Sequence, residues 1–163
     1  MKFYMKQKVF SFKDKFFLTD EQATNRYYVE GDFSLVNRRK IIDVTTNTTV
    51  AIIEDKPISL LPTFYVIINQ QRVLTITKKF KLFKDEFVIE GSRNWVVKGD
   101  FGDYIYKIIE NGAVKCEITK KLFSFGDQFQ IEVTDEGEAP LVIAAVLAIQ
   151  SVLQKRSLEL ALD

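Results

Sequence analysis

Arg38, Arg39 and Lys40 are the residues of this 163-residue chain whose type and spacing come closest to a binding site. Three adjacent cations attract phosphate and carboxylate groups, and basic residues beside an anionic membrane gain about 1 kcal/mol each. We place them at the edge between a loop and a strand, because three charges in a row depart from the alternation of a strand face. They are the candidate site for an anionic lipid or another phosphorylated ligand.

Lysines form two further concentrations along the chain. On alternating strand positions such lysines usually cover the solvated outer face of a sheet, and edge lysines also deter aggregation. The run of three cations is harder to explain in this way, so we prefer it as the site. The two further groups are Lys78, Lys79, Lys81 and Lys84, and Lys120 with Lys121.

The residue types that most catalytic and metal sites need are scarce. The chain has no histidine, which excludes Ser-His-Asp and Cys-His arrangements and histidine-bound zinc. Its one cysteine, Cys116, cannot form an internal disulfide and is expected in the core. Asp14, Asp85 and Asp127 could suggest paired carboxylates, but they recur at one position of a repeat and are interpreted as turn residues. We expect no enzyme, no cofactor and no metal site.

Composition indicates one soluble domain, 1–163, with 47% apolar and 28% charged residues. A net charge of +1 gives no support for nucleic-acid binding. The first ten residues contain no apolar run of the signal-peptide kind, so we expect a cytoplasmic protein. A monomer is expected.

The chain before residue 135 has the pattern of short β-strands. Fourteen Phe and six Tyr lie with Val and Ile in runs separated by Gly, Asn and Asp. ENGA (110–113), TTNTT (45–49) and GDFGD (99–103) are predicted turns, the first because Asn-Gly accepts positive φ values. Trp95 is expected in the core or at its rim.

Four eleven-residue stretches align without gaps and indicate an internal duplication. Each begins with Lys, has Asp or Pro at its seventh position and Phe at its ninth, and ends in an aliphatic residue. The ninth and eleventh side chains lie on one side of a strand, which we predict to be the core side. The stretches are KVFSFKDKFFL (8–18), KPISLLPTFYV (56–66), KFKLFKDEFVI (79–89) and KLFSFGDQFQI (121–131).

The copies pair the first stretch with the third and the second with the fourth. VEGDF (29–33) recurs as VKGDF (97–101) in the same order. The chain is therefore predicted to consist of two related halves, about 8–78 and 79–135, followed by a helix.

That helix, about 140–154, is predicted to be buried on every side. Residues 141–149 are an unbroken apolar run, Pro140 suits the first turn, and acidic residues precede it while Lys155 and Arg156 follow. The apolar part, 141–153, is ~20 Å long, whereas a bilayer core needs ~30 Å, so we expect no transmembrane span.

Another subunit or the chain's own sheet could bury the helix, and the number of strands favours the sheet. About eight strands enclose only side chains, so a barrel around a helix needs about eleven or twelve. Two halves of about six strands supply them. The predicted fold is mainly β, a closed barrel of about twelve strands wrapped around a hydrophobic C-terminal helix.

Residues 3–154 resemble the LURP-one-related family, within the Tubby C-terminal-like superfamily. The resemblance lies in KQKVFSFKDKFFLTDEQ, YYVEGDFSL, TTNTTVAIIEDK and FQIEVTDEGEAPLVIAAVLAIQSVLQ. It implies a twelve-stranded barrel around a central helix and an intracellular protein. Relatives in the superfamily include Tubby proteins, which bind phosphoinositides, and phospholipid scramblases, but no motif of either carries over by position.

These observations leave two hypotheses for function. The first is a non-enzymatic domain that binds anionic phospholipid or phosphoinositide peripherally through Arg38, Arg39 and Lys40. The alternative is a protein-interaction scaffold without a small-molecule ligand, since a helix that fills the barrel removes the usual cavity.

Overall fold

A closed antiparallel β-barrel around one helix forms the fold, as the sequence predicted. The computed structural model describes residues 1–6, 15–33, 36–82, 84–124 and 126–162, and their side chains except those of residues 33 and 155–162. In this part of the chain there are twelve strands: β1 Lys2–Lys6, β2 Phe16–Thr19, β3 Asn25–Phe33, β4 Asn37–Asp43, β5 Thr48–Asp55, β6 Thr63–Ile68, β7 Gln71–Lys81, β8 Lys84–Gly91, β9 Trp95–Asp100, β10 Ile105–Glu110, β11 Ala113–Lys121 and β12 Gln128–Val133. A 3₁₀ turn, Glu136–Glu138, precedes helix α1, Ala139–Leu162.

Each strand pairs with its neighbours along the chain, and β1 closes the barrel against β12. In such a meander, connections after odd-numbered strands lie at one end and connections after even-numbered strands at the other. We call the first end the mouth; its described connections include residues 56–62, 82, 101–104 and 122–124. The second end is the base, with turns at 20–24, 44–47, 69–70, 92–94 and 111–112.

All three predicted turns are present. Asn111 and Gly112 have φ values of 48° and 83° between β10 and β11, as an Asn-Gly hairpin requires. Asn47, with φ of 55°, ends the turn before β5. At the mouth, the Asp100 carboxylate accepts the Gly102 N–H at 3.0 Å and thereby closes the turn between β9 and β10.

The recurring stretches fall at matching places in the order of the strands. The ninth and eleventh positions of the four stretches fall in β2, β6, β8 and β12, so that paired copies lie six strands apart. VEGDF and VKGDF fall in β3 and at β9, also six strands apart. The core-side prediction is confirmed at all eight positions, each less than 9% exposed: Phe16, Leu18, Phe64, Val66, Phe87, Ile89, Phe129 and Ile131.

One detail of the repeat is wrong. Asp85 lies in strand β8 and not in the turn before it, because β8 already begins at Lys84. Asp14 and the rest of 8–14 lie outside the described residues, as do Phe83 in the third stretch and Phe125 in the fourth.

Helix α1 fills the barrel. Val142–Ile149 and Gln150 are 0% exposed, which confirms that the apolar run is enclosed on every side. The helix is longer than the predicted 140–154, and its 24 residues at ~1.5 Å each would reach ~36 Å, so the absence of a membrane span stays a prediction. Among described residues, Glu136–Gln154 is long and apolar enough to cross a membrane, but 67% of its apolar window is buried in the protein.

An ion-pair cluster at the base fixes the start of the helix. Arg93 donates to Glu110 at 2.6 and 2.7 Å and to Glu138 at 2.5 Å, and Lys115 lies 2.9 Å from Glu138. Arg93 also covers the ring of buried Trp95, which is in the core as expected. The helix therefore enters the barrel at the base and leaves it at the mouth.

Candidate functional site

Strand β4 divides the predicted cation cluster between the two faces of the barrel wall. Arg39 is 2% exposed inside the barrel, whereas Arg38 and the half-buried Lys40 lie on the outer face. Successive side chains of a strand point to opposite sides, so the three cations cannot form one surface. Their lipid-binding role stays a prediction, and a surface patch at this point comprises Arg38 and Lys40 alone.

Arg39 holds the helix where it leaves the barrel. Its guanidinium donates a hydrogen bond to the Ser151 hydroxyl, which itself donates to the Leu147 carbonyl at 2.6 Å. Burial lowers the pKa of Arg39 to about 10, and the Asp55 carboxylate opposes that shift. The inward member of the predicted site thus has a structural contact with α1.

Arg38 lies within a network on the outer wall. Its Nε donates to Glu54 at 2.8 Å, and Arg72 reaches the same carboxylate at 3.4 Å while its guanidinium covers the ring of Tyr65. Glu54 is thus shared by two arginines near the mouth end of β4, and the neighbouring strand β3 places Asp32 opposite Arg38 and Glu30 opposite Lys40.

Exposed apolar side chains are concentrated at the mouth. Leu60 is 102% exposed, Ile58 89% and Leu82 87%. Water-exposed aliphatic groups of this size, grouped at one end of a domain, mark a surface that another apolar phase covers. We call them the mouth apolar residues: Ile58, Leu60, Phe80, Leu82 and Leu122.

Lysines surround these residues. Both further lysine concentrations found in the sequence lie at this end, since β7, β8 and β11 begin or end there. Lys78 and Lys120 are turned inward and pair with Asp85 at 3.5 Å and Asp127 at 3.4 Å. The exposed cations at or beside the mouth include Lys56, Lys79, Lys81, Lys84 and Lys121.

The base is different in character. Its turns contain mainly polar residues, such as Thr45, Asn69, Gln70 and Ser92, and its exposed apolar Val44 is only 41% accessible. The Asp43 carboxylate closes one of these turns by accepting the Thr45 N–H at 2.8 Å. The two ends of the barrel therefore differ in polarity.

A cleft of about 1310 Å³ opens at the mouth. The 56–62 loop forms one wall, and the start of β8 with the turn between β9 and β10 forms the other. Helix residues Val152 and Leu153 lie at its floor, next to Phe64 and Phe101. It combines an apolar interior with charged groups at its edge.

The described side chains give no support for a catalytic or metal centre. No group of three or more Cys, Asp or Glu is placed to hold a metal within the described residues. Cys116 is buried, and burial raises the pKa of its thiol well above the usual range, which keeps it in the unreactive form. Asp85 and Asp127 each face a lysine.

Sequence reasoning did not find the mouth apolar residues. The signal that could have found them is a difference in composition between the two sets of connections that join the strands. Those after even-numbered strands contain mostly Asn, Thr, Ser, Glu and Gly, whereas the described ones after β5, β7 and β11 contain Ile, Leu and Phe. An antiparallel meander brings the second group together at one end.

Three comparisons place the chain among known proteins. The family model "LURP-one-related" matches residues 1–150. The chain is 34% identical over 151 residues to the uncharacterised Bacillus subtilis protein YxjI, covering 92% of each chain. It is also similar in fold to an X-ray structure of an Arabidopsis thaliana protein, with a TM-score of 0.61 and 15% identity over 93% of this chain and 91% of that one. The chain therefore belongs to the LURP-one-related family.

Proposed function

We propose that this protein is a peripheral membrane-binding domain that docks its mouth onto anionic phospholipid at the cytoplasmic face of a membrane. One observation carries the proposal: exposed aliphatic loop residues and exposed lysines lie together at one end of the barrel. The domain acts by binding and not by catalysis, in keeping with a chain that has no histidine.

The expected energies suit reversible docking. Burying one Leu, Ile or Phe side chain fully is worth about 1.5–3 kcal/mol, and each lysine near an anionic surface adds about 1 kcal/mol. Partial insertion of Ile58, Leu60, Leu82 and Leu122 would therefore contribute no more than about the gain from one lipid chain, which alone gives only marginal, reversible binding. Such a surface binds and releases, and its affinity falls with salt because the lysine contribution is screened.

The sequence-predicted cations have a secondary place in this proposal. Arg38 and Lys40 lie on the outer wall near the mouth end of β4, where they can meet headgroups beside the docked loops. Arg39 is excluded from that contact by its burial inside the barrel.

Vesicle sedimentation tests the proposal. Full-length protein is mixed with phosphatidylcholine vesicles with and without 30% phosphatidylserine, or a few per cent phosphoinositide, at two salt concentrations. We expect sedimentation with the anionic vesicles and a marked loss at high salt. The variant Ile58→Ser, Leu82→Ser, Leu122→Ser should lose at least tenfold in binding, whereas the base variant Val44→Ser should bind like wild type.

Equal sedimentation of the triple variant and wild type would overturn the assignment of the mouth. Absence of any vesicle binding by folded wild type would reject the lipid hypothesis and leave the scaffold alternative, with the mouth as the surface to examine for protein contacts.

A further inference from the structure

Strands β8 and β9 are joined at a single register position. Val88 pairs with Val96, whereas the equivalent strands of the first half, β2 and β3, pair at four positions. In the alignment of the two halves, the pair Val88–Val96 corresponds to the pair Phe17–Tyr28 of β2 and β3. The strands β8 and β9 therefore keep the same register, but the pairs on either side of this position are not formed. The wall of the barrel is therefore less closed here than between β2 and β3.

The cleft lies at the mouth end of this seam. Its wall includes Lys84 and Asp85 on the β8 side and Gly99 and Asp100 on the β9 side. At about 1310 Å³ it is larger than the ~300–1,000 Å³ of ordinary ligand pockets. It reaches the helix at Val152, so a ligand there would contact the core of the barrel.

Apolar side chains form the inner part of the cleft. Phe64, Phe101, Val152 and Leu153 are each 4–8% exposed and line it. Leu60 and Phe80, both largely exposed, continue this lining to the rim. An alkyl chain is the ligand part that such a lining accepts, because each buried methylene contributes about 0.8 kcal/mol.

A buried ammonium group lies beside this apolar lining. The Lys78 side chain is 7% exposed, and its Nζ lies 3.5 Å from Asp85, longer than the ~2.7–2.9 Å of a strong charge-assisted hydrogen bond. With three donors, Lys78 can also bind a ligand oxygen. Lys56, Lys81 and Lys84 stand at the rim.

The aspartates of the cleft already have partners. Asp55 faces the Arg39 guanidinium, and Asp100 accepts the Gly102 and Asp103 N–H groups at 3.0 and 3.2 Å. The described lining contains four lysines and three aspartates; Lys78 is paired with Asp85, and Lys81 is paired with Glu86 at 2.7 Å. The remaining excess of positive charge, at Lys56 and Lys84, favours an anionic ligand.

We propose that the cleft binds one single-chain anionic amphiphile, with its carboxylate or phosphate head at Lys78 and its alkyl chain over Phe64, Phe101 and Val152. The inference deepens the proposed membrane docking, since the same mouth that meets the bilayer would receive one lipid from it. The head group is defined by its charge, and carboxylate and phosphate are separate arms of the test.

Isothermal titration calorimetry of the full chain tests binding directly. The probes are dodecanoate and dodecyl phosphate below their micellar concentrations, with dodecanol as the neutral control and inorganic phosphate as the head group alone. We expect one-to-one binding of at least one anionic probe, and binding at least tenfold weaker for dodecanol and for inorganic phosphate. Equal binding of dodecanol, equal binding of inorganic phosphate, or no binding of either anionic probe would overturn the proposal.

Cleft variants locate the ligand. Val152→Trp fills the floor and should reduce amphiphile affinity at least tenfold; Leu61→Trp, on the half-buried loop wall, serves if Val152→Trp does not fold. The double variant Lys78→Met, Asp85→Asn removes the ammonium group that would bind the ligand's head group and leaves no unpaired Asp85 carboxylate. It should bind dodecanoate only as weakly as dodecanol. Unchanged affinity in the folded cleft variants would place the ligand elsewhere.

The two proposals fail separately. The docking variant with serines at Ile58, Leu82 and Leu122 leaves the cleft lining untouched and should bind dodecanoate normally while losing vesicles. Val152→Trp should sediment with anionic vesicles like wild type while losing dodecanoate. If wild type sediments with vesicles but binds no anionic probe, only the cleft inference fails.

Discussion

Arg39 and Tyr106 occupy equivalent positions in the two halves of the barrel and face adjacent residues of the central helix. Arg39 pairs with Gly31 across β3 and β4, and Tyr106 pairs with Gly99 across β9 and β10; both glycines belong to the recurring GDF sequence. Arg39 donates to Ser151, and the Tyr106 hydroxyl lies near the Gln150 amide. The duplication thus places two polar contacts around the helix within one turn.

The two contacts differ in how well they are satisfied. Arg39 is hydrogen-bonded to the helix. The Tyr106 hydroxyl and both polar atoms of the Gln150 amide are buried and have no hydrogen-bond partner within the described residues. Burial raises the pKa of Tyr106, and the nearby Gln150 amide opposes that rise. This difference leads to opposite predictions for the two sites.

Arg39→Met should destabilise the protein by about 2 kcal/mol, because it removes a hydrogen bond from a buried charged group and leaves Asp55 without its nearby cation. Arg38→Ala, one residue away on the outer wall, should cost under about 1 kcal/mol. Urea unfolding measures both. A similar loss for the two variants would contradict the inward placement of Arg39.

Gln150→Met should raise the free energy of unfolding by about 1 kcal/mol, because a side chain of similar shape replaces a buried amide that lacks partners. Tyr106→Phe is the matched change on the facing strand and should be close to neutral. Thermal and urea unfolding are the measurements. A loss of 1 kcal/mol or more in Gln150→Met would show that the amide is hydrogen-bonded.

Much of the fold could be predicted from the sequence because the relevant signals are local and repeated. Phe and an aliphatic residue two positions apart place Phe64 and Val66 on one strand face, and four copies of that pattern mark four core strands. The buried helix could be predicted from the composition of its own segment alone. Its far end was misjudged, since a helix can continue past its buried part and composition does not show where it stops.

The candidate site was harder to predict because it depends on the arrangement of distant segments. Ile58, Leu82 and Leu122 are ordinary apolar residues in sequence, and only the order of the strands brings their loops to one end. The three predicted cations do lie where a loop meets a strand, since β4 begins at Asn37, but the alternation of that strand turns Arg39 inward and separates it from Arg38 and Lys40. Their role in lipid binding stays a prediction.

Gly99→Ala should destabilise the protein on the order of 2–3 kcal/mol. Gly99 has φ of 154°, and a Cβ there would lie 2.3 Å from the Ile105 carbonyl oxygen, so both the backbone and the neighbouring strand resist it. Gly112→Ala is the control: its φ of 83° is also positive, but nothing lies within 4 Å of a Cβ, and about 1 kcal/mol is expected. Equal losses in thermal unfolding would show that contact with β10 does not matter.

Arg93→Met should make stability less dependent on pH in the acid range. Hydrogen bonds from Arg93 lower the pKa of Glu110. Burial raises the pKa of Glu138, but hydrogen bonds from Lys115 and Arg93 outweigh burial, so that this pKa also lies below the ordinary 4.5. The unfolded chain then binds more protons than the folded one, so this stabilisation is complete above about pH 4.5 and is lost as the pH falls through the folded pKa values. The difference in urea midpoint between wild type and Arg93→Met should therefore be largest at pH 7 and shrink below pH 4.5.

The control is Lys107→Met, which removes an exposed pair with Glu117 and should differ little from wild type at any pH. If the difference for Arg93→Met stays constant with pH, the effect of Arg93 must be assigned to its packing on Trp95.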